Sequence, residues 1–413
     1  MIKFGIIQKY LYFCQRNNAF YSCMKRICFV VDSIFSIGGV QRVTAVIAKE
    51  LAKDNNVSIV TFDKPEKLNK SLYNLHEANI DYRFISYPQI SPIKRYICKA
   101  YSGLYLKLQP QSKWSSDLYA YSSYPSELRD ALFAKLQKEK YDVIIGVHAP
   151  LAARLATLKK QLPNVKLIGW IHNSYEAIFG EKSHYHIGQK RKRHYIYQFR
   201  KLDDVIVLCK DDANRFTDFD SKFAPTVIYN PLTLKQGTPS NGTSKRFLTV
   251  GRFTPLHKGI DLLIKAFYLF SQKNKEWNLD IVGEGKEEGA FRRLIQQYHL
   301  EDRITIHPFT NNIQDHYANA QVYVLSSRWE GMPLVLVEAM AHGLPIVTSD
   351  LPVSKEILGD FGLYFKNGDI EELAQRLEDA TKIDWQAKSE EALTIAQRFD
   401  IKNIIKQWKQ LIE

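Results

Sequence analysis

Almost the whole chain alternates short apolar runs with longer stretches of helical spacing. In the first half the runs are ICFVVD (27–32), VSIVTF (57–62), YRFISY (82–87), DVIIGV (142–147), KLIGWIHN (166–173), DVIVLC (204–209) and TVIYN (226–230). In the second half they are RFLTVGRF (246–253), LDIVGEG (279–285), ITIHPF (304–309), VYVLSS (322–327), PIVTSD (345–350) and GLYF (362–365). Such runs, β-branched and without strict alternation, suit strands covered on both faces. Strands that alternate with helices predict a parallel, doubly wound sheet. There are too many for one such sheet. The segment 231–246, rich in Pro, Gly, Ser, Thr and Asn, breaks the pattern into two similar α/β units.

The expected organisation is a first domain over 24–230, a linker over 231–245, a second domain over 246–395 and a C-terminal helix over 396–413. That helix carries Ile401, Ile404, Ile405, Trp408 and Leu411 on one face, which should pack on the body. Residues 88–140, rich in Tyr, Ser and Lys, fit the alternation least and read as helices and loops inserted in the first domain. Residues 1–23 lack the apolar core and small-residue cleavage site of a signal peptide. They read as a peripheral appendage or as a mis-assigned start ahead of Met24. Ligands of doubly wound sheets bind outside the carboxyl ends of the strands. With two sheets, the cleft between them is the expected site.

At 413 residues and 45% apolar, the chain is too long for one typical core. No stretch approaches the ~18–20 uninterrupted apolar residues of a spanning helix. A formal net charge of +13 points to an anionic partner: nucleic acid, anionic lipid or a phosphorylated ligand. Five scattered cysteines without CxxC spacing fit reduced thiols, a cytoplasmic setting and no zinc site.

RWEGMPLVLVEAM (328–340) places Glu330 and Glu338 eight positions apart on either side of a strand–loop–helix joint. The strand VYVLSS ends near Ser327, and Pro333 suits the first helical turn. The N–H groups of Met332, Leu334 and Val335 would then face an anion at a helix N-terminus. Carboxylates accept paired hydroxyl hydrogen bonds well. A sugar nucleotide has the matching layout of hexose, diphosphate and ribose. A plain buried helix after a stray glutamate has the same spacing.

Arg252 and Lys258, in VGRFTPLHKG, lie between a strand and a helix and are candidate phosphate ligands. Gly38 and Gly39 join the first strand to a helix and let backbone approach a ligand, though they are not a GxGxxG dinucleotide fingerprint. His172, in WIHNSY, and His148, in GVHAP, each end a strand at the edge that should face the cleft. Asp218-Phe219-Asp220 has the DxD spacing of metal-dependent transferases, but it follows a helical pattern and reads as surface loop. In KRKRHYIYQFRK (190–201), Lys190, Arg191, Lys192 and Arg193 precede Tyr195, Tyr197 and Phe199. That stretch is either a solvated helix face or a contact for anionic lipid headgroups.

Taken in order, the early Gly-Gly loop, the strand-end His, VGRF…KG, IVGEG, and E-x7-E followed by EAMAHGLPIVTSD resemble the retaining GT-B glycosyltransferases of family 4. The resemblance runs from Met24 nearly to the end and is most specific in the second half. It implies two Rossmann-like domains facing a central cleft, with the C-terminal helix crossing back to the first domain. Carried over by position, Glu338 should hold the nucleotide ribose, and Glu330 the transferred sugar. The backbone at Met332, Leu334 and Val335 should meet sugar and phosphate, and Arg252 and Lys258 the leaving diphosphate. Gly38 and Gly39 should admit that phosphate, and His172 should sit beside the sugar. Gly283, Glu284 and Gly285 should border the nucleotide pocket, and the backbone near Phe309 should meet the base. Pro333 stands where relatives often have Gly, and HPFT replaces a more usual small-residue turn.

The resemblance further implies transfer of a hexose, UDP-linked, to a glycan or lipid-linked saccharide acceptor in surface polysaccharide synthesis. It implies no metal and no other cofactor, and a peripheral position at the inner face of the membrane through Lys190 to Arg193. An epimerase or a phosphorylase-like enzyme on the same fold is the alternative. Nucleic-acid binding has only the charge in its favour, without a motif.

Overall fold

A computed structural model of the chain describes residues 24–108, 110, 112–180, 188–234 and 237–413, with the backbone alone at 188–190. The expectation for residues 1–23 therefore lies outside the described residues.

The first sheet is built from β1 (Arg26–Val31), β2 (Asn56–Thr61), β3 (Ile80–Phe84), β4 (Val143–Val147), β5 (Lys166–Trp170), β6 (Asp204–Val207) and β7 (Thr226–Val227). The second comprises β8 (Arg246–Val250), β9 (Asn278–Val282), β10 (Ile304–His307), β11 (Val322–Leu325), β12 (Ile346–Ser349) and β13 (Leu363–Phe365). Among the helices around them are α1 (Gly39–Leu51), α2 (Pro92–Leu108), α3 (Lys113–Ser123), α4 (Gly188–Phe199), α5 (Ile260–Ser271), α6 (Leu334–Ala341) and α7 (Ile401–Ile412).

The strand orders are β3-β2-β1-β4-β5-β6-β7 and β10-β9-β8-β11-β12-β13, and the pairings are parallel. The unbroken apolar runs have the burial expected of doubly covered strands. All five residues of β4 are buried, as are all four of β11. In each sheet the order reverses direction once, between β1 and β4 and between β8 and β11. A parallel sheet leaves a crevice at that point, because the flanking crossovers run to opposite faces.

The chain passes between the domains twice. It leaves the first near Leu232 and returns after Phe399, where Leu232 N–H donates to the Phe399 carbonyl at 2.8 Å. Tyr229 meets the Phe399 ring edge-on at 5.7 Å. Helix α7 buries Ile404, Ile405, Trp408 and Ile412. Trp408 packs 4.6 Å from Trp170 of β5 and 6.5 Å from Phe29 of β1, ring centre to ring centre. The last helix therefore docks on the first domain, and the Lys25 ammonium fastens its end through the Ile412 carbonyl at 2.6 Å.

Helices α2 and α3 pack against each other as a hairpin on the first domain. Ser102 and Ser122 share a hydrogen bond at 2.9 Å, and Tyr105 stacks on Tyr119 at 4.4 Å. Of the 17 residues of α2 only Tyr105 is buried.

Candidate active site

The loops that follow β1, β4, β5, β8 and β11 bring the sequence candidates together at the two crevices, facing each other. After β8, the loop carries Arg252 and Lys258 and ends at Gly259, whose φ of 61° is left-handed. A Cβ there would lie 1.9 Å from the Ser326 carbonyl oxygen, so only glycine lets the β8 and β11 loops touch. Ser326 Oγ donates to the Lys258 carbonyl at 2.9 Å and fixes the same junction.

Lys258 Nζ then reaches Glu330 Oε1 at 2.6 Å, and Ser327 Oγ donates to the same oxygen at 2.6 Å. His257 Nε2 stands 3.8 Å from Glu330 Oε2. Burial pushes the Glu330 carboxyl up, but the charge of Lys258, then His257, and the hydrogen bonds from Lys258 and Ser327 outweigh it. The carboxyl is held below its ordinary value. Glu330 is thus an ionised, aimed acceptor rather than a proton donor.

Helix α6 starts at Leu334, with Pro333 as the capping residue just outside it. The sequence placed Pro333 one step later, within the first turn. Pro333 contributes its carbonyl, which accepts from Leu336 N–H at 3.0 Å. Leu334 and Val335 open the helix, in the turn whose N–H groups have no carbonyl four residues back. Met332 is buried, and its Sδ accepts from Asn230 N–H at 2.9 Å. Glu338 lies inside the helix, 2% exposed. Its Oε2 accepts from the Tyr317 hydroxyl at 3.0 Å, and its Oε1 from Thr233 Oγ1 at 3.4 Å. Arg42 of α1 also ion-pairs with Oε1, across the cleft.

Across the cleft, α1 begins at Gly39. A Cβ on Gly39 would lie 3.4 Å from Leu334 Cδ1, so the first residues of α1 and α6 are neighbours. Two helix N-termini converge there, each carrying a partial positive charge. Arg252 bridges the same gap, its Nη2 donating to the Ile37 carbonyl at 3.2 Å. Among the described residues no carboxylate lies within ion-pair reach of Arg252. Gly38 has extended backbone and donates to the Tyr73 hydroxyl at 2.8 Å.

His172, just past β5, is buried against Trp170, 4.2 Å between ring centres, and 5.5 Å from His148. Burial, reinforced by His148, drives its pKa well below the usual imidazole value, so the ring is neutral. Among the described residues its Nε2 is buried without a hydrogen-bond partner. The loop of Glu330 abuts this strand end: a Cβ on Gly331 would fall 2.2 Å from the His172 carbonyl oxygen.

Gly283 and Gly285 have φ of 154° and 151°. A Cβ on Gly283 would meet the Gly251 carbonyl oxygen at 1.9 Å, and one on Gly285 the Phe253 carbonyl oxygen at 2.4 Å. The VGEG loop therefore shapes the β8 loop that carries Arg252. Glu284 is exposed, and Phe309 is 40% exposed.

Two earlier readings look different in the structure. The side chain of Lys190 lies outside the described residues. Lys192 is folded over the Tyr175 and Phe219 rings, 4.7 and 3.9 Å from their centres, while Tyr195 and Phe199 face the core. Adjacent helical positions point in different directions, so that run is not one continuous patch. Asp218-Phe219-Asp220 closes a helix, and Asp220 pairs with Arg200 at 3.0 Å.

Sequence reasoning missed Arg42, Tyr317, Gly331 and Asp63. Asp63 accepts from the Ile34 and Phe35 N–H groups at 2.8 and 3.2 Å and shapes the loop ahead of Gly38. Arg42 left one signal: a cation in the first turns of α1, with no acidic residue beside it, opposes the helix dipole.

Two family models match the chain. Glycosyltransferase Family 4 matches residues 37–236, and Glycosyl transferases group 1 matches residues 232–398. An uncharacterised glycosyltransferase of Haemophilus influenzae is 28% identical over 399 residues, covering 94% of this chain and all of that protein. The poly(glycerol-phosphate) alpha-glucosyltransferase of Bacillus subtilis is 25% identical over 306 residues, 70% of this chain but only 44% of that protein. Among solved structures, HepE of Anabaena, crystallised with UDP and glucose, superposes with a TM-score of 0.71 at 18% identity. It covers 94% of this chain and 99% of its own. TarM superposes at 0.73 and 16% identity over the same shares. Two facing Rossmann-like domains, matched half by half over residues 37–398, place this chain in the GT-B glycosyltransferases of family 4 and group 1.

Proposed function

We propose that the chain transfers a hexose from a nucleoside diphosphate sugar, UDP-linked, to a glycan or lipid-linked saccharide, with retention at the anomeric carbon. The observation that carries this reading is the convergence of the α1 and α6 N-termini with Arg252. Lys258 and Arg42 are compensated by Glu330 and Glu338. Arg252 and the two helix ends supply the excess positive potential, which suits a diphosphate. Glu330 lies on one side of that point and Glu338 on the other, fitting sugar hydroxyls and ribose.

The same donors stabilise charge on the departing diphosphate, so this reading calls for no metal. The acceptor hydroxyl attacks on the face the nucleotide leaves, and a leaving phosphate oxygen takes its proton. We assign the neutral His172, whose buried Nε2 is unpaired among the described residues, to a sugar hydroxyl once donor entry opens the packing around it. HepE with UDP and glucose, and the pneumococcal O-GlcNAc transferase GtfA with UDP and GlcNAc, support the choice of donor. The Bacillus relative and an exopolysaccharide phosphotransferase of Streptomyces coelicolor support a polymer acceptor. Among the described residues no helix is long and apolar enough to cross a membrane. We place the enzyme in the cytoplasm, meeting anionic lipid at the inner face, with Arg191 and Arg193 as the usable part of the basic run.

Thermal stabilisation by a panel of nucleotide sugars tests the donor reading. Glu338→Ala should weaken the response to UDP itself, and Glu330→Ala only the extra response to the attached sugar. If no nucleotide sugar stabilises the protein, or both variants respond as wild type does, the reading fails.

A further inference from the structure

Helix α2 is amphipathic with its apolar stripe turned outward. Ile93, Tyr96, Ile97, Leu104 and Leu108 are 52–76% exposed. At ~100° per residue, the 3.6-residue period puts these five on one continuous stripe spanning roughly a third of the helix circumference. The opposite face, with Tyr101, Ser102 and Tyr105, packs on α3. Trp114, in the first turn of α3, is 74% exposed. Large apolar side chains clustered in this way are rare on a face that meets only water.

The charge pattern selects the partner. Helix α2 holds four basic residues and no acidic one. Lys94 turns aside to pair with Glu127 at 2.8 Å. Lys99 flanks the apolar stripe on one side and Arg95 lies farther round the helix on that same side, both exposed and without a carboxylate in ion-pair reach among the described residues. Lys107 lies within the arc of the stripe near the C-terminal end of α2 and is exposed as well. Helix α4, which carries Arg191 and Arg193, packs against the same hairpin through His194 Nδ1 and Ser116 Oγ at 3.0 Å. A protein partner would need a matching acidic apolar groove. A bilayer with anionic headgroups supplies both features at once: phosphates at the depth of the cations and acyl chains at the depth of the stripe.

We propose that the α2–α3 pair docks the enzyme on an anionic bilayer, with the exposed stripe of α2 and Trp114 in the interfacial layer and Lys99, Lys107 and, reaching round the helix, Arg95 among the headgroups. This replaces the 190–193 run as the principal contact and does not depend on the identity of the donor. The apolar and the charged contributions are separable, because they come from different side chains.

Flotation with vesicles of phosphatidylcholine alone, or of equimolar phosphatidylcholine and phosphatidylglycerol, tests it on the full chain. Wild type should partition to the anionic vesicles and far less to the neutral ones. The triple variant Ile93→Ser/Ile97→Ser/Leu104→Ser should bind anionic vesicles at least about tenfold more weakly. Arg95→Glu/Lys99→Glu should abolish the preference for anionic lipid. These positions are exposed and away from the cleft, so both variants should keep wild-type melting temperatures and UDP responses; this separates failed docking from a failed donor reading. Equal binding by wild type and the triple variant overturns the proposal. So does a wild-type dimer that the triple variant dissolves without any vesicle binding, since the stripe would then cover a second copy of the chain.

Discussion

Replacing Gly331 by Ala probes one contact between the two domains, where backbone meets backbone. The added Cβ would sit 2.2 Å from the His172 carbonyl oxygen and 3.3 Å from the Ser174 nitrogen, against backbone rather than a flexible side-chain end. Real contacts essentially never fall under 3.0 Å, so the Glu330 loop or the β5 end must give by about 0.8 Å. Glu330 would be carried away from His172 by that amount. A displacement of about 1 Å of a positioning group can reduce turnover on the order of a hundredfold, or about 2.7 kcal/mol of transition-state stabilisation. Each domain should stay folded, because the contact lies between them. Release of UDP from a UDP-sugar measures the rate, and the UDP-induced melting shift measures binding. Gly259→Ala is the contrast. Its Cβ meets Ser326 within one domain at positive φ, so it should lower the melting temperature of the unliganded protein. If Gly331→Ala turns over and binds UDP as wild type does, the abutment of the domains has no part in catalysis.

Other perturbations test separate links. Glu330→Ala leaves Lys258 unpaired in a largely dry site and should cost about 2–3 kcal/mol in urea unfolding. Because the folded carboxyl of Glu330 titrates below its ordinary value, its contribution is full above that range and is lost as pH falls through the lowered value. The stability gap between wild type and Glu330→Gln should therefore hold steady from about pH 6 to 8 and shrink below about pH 4; a gap that widens in acid contradicts the assignment. Arg42→Ala should destabilise the empty protein yet enlarge its melting response to UDP, since Glu338 no longer has to release a guanidinium; calorimetric titration would show the opposite if Arg42 itself holds the nucleotide. Trp408→Ala empties a fully buried position between the last helix and the first domain and should cost about 3–5 kcal/mol, measured as a fall in denaturation midpoint.

The fold was legible because buried parallel strands write themselves as unbroken apolar runs, and a polar, Pro- and Gly-rich stretch separated the two sheets. Glu330, Glu338, Arg252 and Lys258 were legible because each sits where a strand gives way to a helix. Their partners were not. The contacts of Glu338 with Arg42, Thr233 and Tyr317 join positions 296, 105 and 21 residues apart. No local pattern encodes such a meeting. Gly331 belongs to the same class, since its need for a hydrogen side chain comes from the other domain. Residues 92–108 are helical, as the insertion was read, but which face of that helix turns outward was illegible for a different reason. Helical periodicity reveals an apolar stripe but not whether protein or surroundings cover it. In α2 the tyrosine and serine face turns inward and the aliphatic face outward, against the usual assumption.

The hydrogen bond between Leu232 and Phe399 ties together the only two places where the described chain passes from one domain to the other. The two passages are thus pinned along a single edge, like the leaves of one hinge. Opening of the cleft is then a swing about that edge rather than a parting of two bodies. In such a swing, groups farthest from the edge would travel most and Leu232 and Phe399 least. Donor entry and release become an angular motion, whose arc is set where the chain crosses and whose closed stop is set where Gly331 meets His172.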